Sequence, residues 1–142
     1  MFKKFLLEPN ADLALLFLRV AVAAFLFFGH GLGKFMHFAE NSPKFSDPLG
    51  IGPDFSYLLA TSAEFLCAIL VALGLFTRFA LIPLCINMLV AAFVVHADDP
   101  WKSKEFALLY FIPFFTVLIS GPGTFSLDNL LFSPKSDLHA DK

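Results

Sequence analysis

Residues 13–33, LALLFLRVAVAAFLFFGHGLG, decide the fold, because they form an apolar run long enough to cross a membrane. A transmembrane helix needs about 20 mainly apolar residues, at a rise of about 1.5 Å per residue. Three further runs, at residues 57–76, 79–97 and 105–121, meet the same condition. The sequence therefore predicts an all-α integral membrane protein, a four-helix up-and-down bundle forming a single domain over residues 1–142.

The composition favours the same assignment and leaves little chain outside the helices. Of the 142 residues, 58% are hydrophobic, 15% are charged and 20 are Phe, which is typical of a chain surrounded mostly by lipid. Outside the spans the sequence has one mid-length outer loop (35–56) and two short tails, the second at residues 122–142, so we expect no separate soluble catalytic domain. The net charge of −2 provides no basic surface for phosphates. Membrane lipid is therefore an expected partner and nucleic acid is not.

The distribution of Lys and Arg predicts the orientation of the bundle. With four spans, both termini lie on the same side of the membrane. That side would carry Lys3, Lys4, Arg78, Lys135 and Lys142, and the opposite, outer side would carry Lys34, Lys44, Lys102 and Lys104. Because cytoplasmic segments carry the excess of Lys and Arg, the termini are predicted to be cytoplasmic.

Ionisable residues within the spans indicate which helix faces point inward. Each costs roughly 2.5–3.5 kcal/mol to insert, so each should face protein or water. In the first helix, Arg19, Ala23, Leu26, His30 and Lys34 recur at the helical period. This stripe is therefore predicted to be the inward face of the first helix.

Three later residues are predicted to meet the outer end of this stripe. Glu64 lies about 10 Å below the outer end of the second helix, near the level of His30. His96 ends the third predicted helix and Glu105 begins the fourth, both on the same side. His30, Lys34, Glu64, His96 and Glu105 are therefore predicted to converge in the outer half of the bundle.

The residues alone leave three interpretations of this cluster open. In a structural one, Glu64 pairs with Lys34 or His30, and Glu105 stabilises the start of a helix. In a second, two His and two Glu ligate a transition metal, although no helix carries close ligand spacing such as H-x-x-x-H. In a third, a quinone or small apolar ligand occupies a Phe-rich cavity, and one His or Glu supplies a proton.

The remaining polar residues in and near the spans are predicted to have structural roles. Arg19 lies in the inner half of the bundle, where Asp128 or helix-end carbonyl groups could bind it. Arg78 could cap the second helix or meet anionic lipid. Asn87 lies half a turn from His96, so on a straight helix these two residues cannot serve one site. Asn87 is instead expected to hydrogen-bond a neighbouring helix.

Several short motifs, in their order and spacing, resemble the DoxX family. They are His30-Gly31-Leu32-Gly33-Lys34, Ala63-Glu64-Phe65, Gly74-Leu75-Phe76-Thr77-Arg78, Val95-His96, and Gly121-Pro122-Gly123 followed by Ser126 and Asp128. With Arg19, the resemblance covers about residues 12–131. It implies a four-helix protein of the bacterial inner membrane, related to the DoxD subunit of archaeal thiosulfate:quinone oxidoreductase. It also implies links to membrane complexes with superoxide dismutase and a thiol-handling partner, and to catechol or quinone stress.

The combined prediction is an outward-facing pocket that binds a quinone-like or other small ligand in membrane redox or oxidative-stress handling. In that prediction the chain is a subunit of a quinone-linked oxidoreductase. His30 and Glu64 are the catalytic, proton-handling pair, Lys34 keeps Glu64 ionised, and His96 and Glu105 line the pocket mouth. The alternative is a non-catalytic scaffold or assembly partner of a redox enzyme. Four short spans leave little room for an internal pathway, so a homo-oligomer or larger complex is expected.

Overall fold

The computed structural model describes residues 10–133, which contain four long helices. They are α1 (Ala11–Met36), α2 (Pro53–Leu73), α3 (Thr77–Val95) and α4 (Trp101–Ser120). Each is long and apolar enough to cross a membrane, so the predicted all-α, multi-pass fold is confirmed. The orientation stays a prediction, since Lys3, Lys4, Lys135 and Lys142 lie outside the described residues.

The connections between the helices fall at two ends of the bundle. Residues 37–52 and 96–100 connect helices at the end that we call the long-loop end, which corresponds to the predicted outer side. Residues 74–76 connect α2 to α3 at the opposite, short-turn end. After α4 the chain turns at this end into a short helix, α5 (Leu127–Phe132).

Several helix boundaries differ from the prediction by a few residues. α2 begins at Pro53, before the predicted residue 57, because proline suits the first helical turn, where its missing N–H needs no partner. α2 ends at Leu73 because Gly74 adopts a left-handed conformation, with φ of 71°. The predicted loop 35–56 is shorter, since α1 extends to Met36 and a one-turn helix occupies Phe38–Asn41.

The core lies along the centre of the bundle, where small and branched side chains let the helices approach. α1 packs against α2 and α4, and α3 also packs against both. Ala23, Leu81 and Leu84 are fully buried between them. Large side chains such as Phe17 and Phe79 are about three-quarters exposed on the outer surface, where lipid would surround them.

Arg19 joins α1 to the chain that follows α4 at the short-turn end. Its side chain is 2% exposed, and its guanidinium donates to the carbonyl oxygens of Pro122, at 3.0 Å, and Phe125, at 2.8 Å. Gly74 packs directly on the guanidinium, so that a Cβ at this position would overlap it. Of the two partners expected for Arg19, carbonyl groups are therefore the ones that bind it.

Asp128 and Arg78 stabilise the ends of neighbouring helices. The Asp128 carboxylate accepts from the backbone N–H groups of Phe76, at 2.6 Å, and Thr77, at 2.9 Å, where α3 begins. Arg78 donates to the Ile119 carbonyl oxygen, at 3.2 Å. Of the two roles suggested for Arg78, a cap on α2 is not what the hydrogen bond shows, because α3 starts beside the last turn of α4 and brings Arg78 to that helix end. Contact with anionic lipid stays a prediction.

Candidate functional site

Three of the long helices contain a π-helical segment: Phe27–Gly31 in α1, Ser62–Cys67 in α2 and Ala91–Val95 in α3. His30 and Glu64 lie inside two of these segments, and His96 directly follows the third. A π turn holds an extra residue, so the side chains after it are rotated relative to those of a straight α-helix. The stripe predicted on α1 from Arg19 to Lys34 was counted along a straight α-helix. The π segment Phe27–Gly31 interrupts that stripe.

Glu64 is the centre of a polar network that joins three helices. Its side chain belongs to α2 and the residue is 5% exposed. Both carboxylate oxygens lie 2.6 Å from Lys34 Nζ of α1. Asn87 of α3 donates its Nδ2 to Glu64 Oε1 at 2.9 Å. The ammonium group compensates the buried carboxylate, which is the condition for placing either charge within a membrane protein.

A close approach of α1 and α2 makes this ion pair possible. Gly31 is buried against the backbone of Glu64, and a Cβ at Gly31 would overlap the Glu64 carbonyl oxygen. Small residues permit such backbone contact between membrane helices. Lys34 lies one turn after Gly31 and therefore reaches the carboxylate of Glu64.

Aromatic side chains from the long-loop end cover Lys34. Its Nζ lies 5.9 Å from the centroid of the Phe45 ring, within the range of a cation–π contact. Tyr57 donates its hydroxyl to the Lys34 carbonyl oxygen at 3.2 Å. The Lys34 side chain remains 25% exposed, so the ammonium is shielded but accessible.

A cavity of about 330 Å³, which we call the larger cavity, lies between α2 and α3 beneath residues 45–51. Lys34, Glu64, Asn87 and His96 contribute polar groups to its wall. Most of the remaining wall is apolar. It includes Leu59 and Ile86, which are both about half exposed on the surface of the bundle.

A second space of about 150 Å³, the smaller cavity, lies between α1, α3 and α4. His30 borders it, with its ring centroid 5.6 Å from that of Phe106 and 6.0 Å from that of Tyr110. Glu64 borders both cavities. Within residues 10–133 no hydrogen bond joins His30 to Glu64, because the π segment directs His30 toward α4 while Gly31 and Lys34 face α2.

Asn87 and His96 both line the larger cavity, which corrects the expectation that they cannot serve one site. The π segment Ala91–Val95 lies between them and changes the helical angle on which that expectation rested. His96 Nδ1 lies 2.6 Å from Asp99 Oδ2 at the end of α3. Asn87 does bind a neighbouring helix, through Glu64.

Glu105 is the one residue of the predicted cluster that the structure leaves outside it. It is exposed and borders neither cavity. α4 begins at Trp101, so Glu105 belongs to the second turn and not to the helix start. On that helix Ala107 and Tyr110 face the smaller cavity instead.

Asp47 fixes the loop that covers the larger cavity. Its carboxylate accepts from Ser56 Oγ at 2.7 Å, from the Gly52 N–H at 2.8 Å and from the Ile51 N–H at 3.0 Å. The hydrogen bond from Ser56 is the main cause that lowers the pKa of Asp47, followed by the one from Gly52. The ionised carboxylate is therefore the form that holds the loop against the start of α2.

We expect Asp47→Ala to release residues 45–52 and to accelerate their amide hydrogen exchange by roughly tenfold. Because the pKa of Asp47 is lower in the folded state, its contribution to the stability of the loop is present above its unfolded-state pKa. That contribution is lost as the pH falls through its folded-state pKa. Exchange measured by mass spectrometry across that acidic range checks both statements. Asp98→Ala, in the other exposed loop at the same end of the bundle, is the matched control, and equal acceleration in both variants would contradict the assignment.

The sequence profile of the DoxX family matches residues 14–97 of the chain. The chain belongs to the DoxX family. The matched residues include Lys34, Glu64, Asn87 and His96, so the polar network of this DoxX protein lies wholly within the family region. α4 lies outside that region, although it forms one wall of the smaller cavity.

Two proteins of Haemophilus influenzae are similar to this DoxX protein over most of their length. One is 35% identical over 133 residues, which cover 89% of this chain and 96% of the relative. The other is 31% identical over 130 residues, which cover 86% and 85%. Both are described only as uncharacterized proteins. No solved structure matches the chain.

Chemically, the site offers an ammonium and a carboxylate to a molecule held among apolar side chains. Within residues 10–133 no three His, Cys, Asp or Glu residues are grouped to hold a metal ion. Cys67 and Cys85 are free thiols. Lys34, Glu64, Asn87 and His96 border the larger cavity and can contact a ligand there through polar atoms.

Proposed function

We propose that this DoxX protein binds a quinone-like or other small apolar ligand in the larger cavity, as part of membrane redox or oxidative-stress handling. The observation that supports the proposal most is the Lys34–Glu64 ion pair on the wall of a largely apolar cavity. An isolated ion pair would be costly there, whereas a polar ligand ring would give both charged groups further hydrogen bonds.

The size and position of the larger cavity suit a ligand that is dissolved in lipid. Its volume of about 330 Å³ lies within the range of roughly 300–1,000 Å³ that small-molecule sites occupy. The half-exposed Leu59 and Ile86 lie on the side that lipid would surround. An apolar molecule can therefore enter between α2 and α3 without passing through water.

Each polar group has a distinct part in the proposed binding. The Lys34 ammonium donates to a carbonyl oxygen of an oxidised ring, and the Glu64 carboxylate accepts from the hydroxyl of a reduced one. Asn87 holds Glu64 in place through the hydrogen bond to Oε1. His96 lies at the end of the cavity nearest the long loop.

The biological setting that we propose is the bacterial inner membrane, with both termini in the cytoplasm. The ligand would exchange electrons with a partner, so that the chain acts as a quinone-linked subunit within a homo-oligomer or a larger complex. Lys34 and Glu64 bind the ligand in this setting, and the partner supplies or accepts the electrons.

Native mass spectrometry of protein released directly from its membrane tests the proposal. We expect a quinone-mass adduct, and we expect Glu64→Gln to weaken the binding of that quinone by about tenfold or more, since loss of one charged hydrogen bond corresponds to that factor in the dissociation constant. Circular dichroism checks that the variant remains helical, because Lys34 loses its counter-ion.

A matched pair of substitutions makes this test independent of the ion pair. Ala60→Leu narrows the larger cavity, whereas Ala107→Leu makes the same change in the smaller one. Of these two substitutions, only Ala60→Leu should displace the quinone adduct. Equal adduct in all variants, or a stoichiometric protein partner with no small molecule bound, would contradict the proposal and favour the scaffold alternative.

A further inference from the structure

The smaller cavity differs from the larger one in the polar groups on its wall. It lies between α1, α3 and α4, and its polar side chains are His30, Lys34, Glu64, His96, Ser103 and Tyr110. Glu64 and His96 border both cavities, so the carboxylate that faces the proposed ligand also faces this second space.

Three of these polar side chains have no hydrogen-bond partner among residues 10–133: the imidazole of His30 and the hydroxyls of Ser103 and Tyr110. All three residues border the cavity, and none of their polar atoms is both fully buried and without a partner. In the interior of a membrane protein, polar groups without a partner are costly. Water that enters the cavity would satisfy them.

The smaller cavity is large enough for several water molecules. Its volume is about 150 Å³, and one buried water needs about 10–15 Å³ of such space. The cavity also provides the two to four polar partners that a stable buried water requires. Space and polar partners are therefore both present.

His96 connects this cavity with the aqueous surface. Its side chain is 37% exposed, and its Nδ1 lies 2.6 Å from the carboxylate of Asp99, which is itself half exposed. The side chain of His96 thus contacts bulk water on one side and borders the cavity that contains Glu64 on the other.

We propose that the smaller cavity is a hydrated chamber that gives the Glu64 carboxylate a proton path to the aqueous surface past His96. Lys34 and His30 from α1, His96 after α3 and Tyr110 from α4 border this path together with Glu64. Asn87 of α3 binds Glu64 but borders only the larger cavity. A proton that reaches Glu64 by this path adds to its carboxylate. The use of that proton by a ligand rests on the proposed function, whereas the hydration of the chamber does not.

In this arrangement the ligand and the proton reach Glu64 from different directions. The ligand enters the larger cavity from lipid, between α2 and α3. Protons arrive through the smaller cavity from the long-loop end. A bound apolar molecule would then not block the exchange of protons between Glu64 and water.

Solid-state NMR of the full chain in liposomes tests hydration directly. Histidine and glutamate carry ¹³C and ¹⁵N, and magnetisation transfer from water is measured at the His30 ring and at the Glu64 carboxyl carbon. Comparison with His30→Gln and Glu64→Gln assigns the two signals. We expect transfer to both that is as fast as transfer to His37, which is exposed at the long-loop end. Slow transfer to His30 in the unmodified protein would overturn the proposal.

Two alanine substitutions then locate the water path. Ala107→Leu fills the smaller cavity and should slow transfer to Glu64 several-fold, whereas Ala60→Leu, in the larger cavity, should leave it unchanged. The reverse result would overturn the proposal. If Ala107→Leu does not fold, Tyr110→Phe retains the ring, removes one hydroxyl and should slow transfer to His30. A protein that binds no quinone but keeps a hydrated His30 would contradict the proposed function alone.

Discussion

Gly31→Ala is expected to separate α1 from α2, to break the Lys34–Glu64 ion pair and to destabilise the bundle by about 3 kcal/mol. The added Cβ would overlap the Glu64 carbonyl oxygen, and backbone atoms cannot rotate away as a flexible side chain can. Overpacked interiors lose about 1–3 kcal/mol, and the displaced ion pair adds the cost of leaving Glu64 without its partner. Equilibrium unfolding in a mixed detergent, followed by circular dichroism, measures the loss.

Two glycines of the same helix supply the control for this prediction. A Cβ at Gly29 or at Gly33 would meet no atom within 4 Å. Gly33→Ala is therefore expected to leave stability unchanged or to raise it slightly, by about 0.5 kcal/mol, since alanine favours the helix. The ¹⁵N signal of the Lys34 side-chain Nζ, which reports the ion pair, should change in Gly31→Ala only. Equal unfolding curves for Gly31→Ala and Gly33→Ala would show that the close contact does not stabilise the bundle.

The spans could be predicted from sequence because each depends only on a long apolar run. Glu64 and Lys34 could also be placed together, since both are charged, both lie in spans, and a buried charge requires a partner. What the sequence could not supply was the rotation of side chains within a helix. The π segments Phe27–Gly31 and Ala91–Val95 carry no residue pattern that distinguishes them from α-helix, yet they decide where His30 and His96 point.

Asn87 shows how that missing rotation changes the composition of the site. Counted along a straight helix, Asn87 lies opposite His96, and the sequence therefore excluded it from the cluster. In the structure it binds Glu64 directly. In the sequence, only the polarity of Asn87 indicated a role. An amide group within a membrane span requires a hydrogen-bond partner, as a charged group does. Glu105 was included for its charge, but it lies on an exposed face of α4 and borders neither cavity.

Arg19→Met is expected to destabilise the short-turn end by about 3 kcal/mol. Methionine approximates the length of the apolar part of arginine but removes both charged hydrogen bonds, each worth about 1.5–3 kcal/mol. The carbonyl groups of Pro122 and Phe125 then lose their donor within a buried contact. Arg19→Lys should restore only part of the stability, since one ammonium does not reproduce the planar, two-pronged geometry of guanidinium. The same detergent unfolding experiment gives the magnitude.

The matched control for Arg19→Met is Arg78→Met at the same end of the bundle. Arg78 is exposed and, within residues 10–133, makes one hydrogen bond, of 3.2 Å, to Ile119, so its loss should cost less than about 1 kcal/mol. Amide hydrogen exchange identifies the location of the change, because Arg19→Met should expose residues 121–126 and leave the long-loop end protected. Since Arg19 binds Pro122 and Phe125 while Glu64 binds Lys34 and Asn87, the two sites share no partner. Quinone occupancy should therefore survive in Arg19→Met wherever the protein remains folded. A loss of protection at the long-loop end instead would mean that the two ends unfold as one unit.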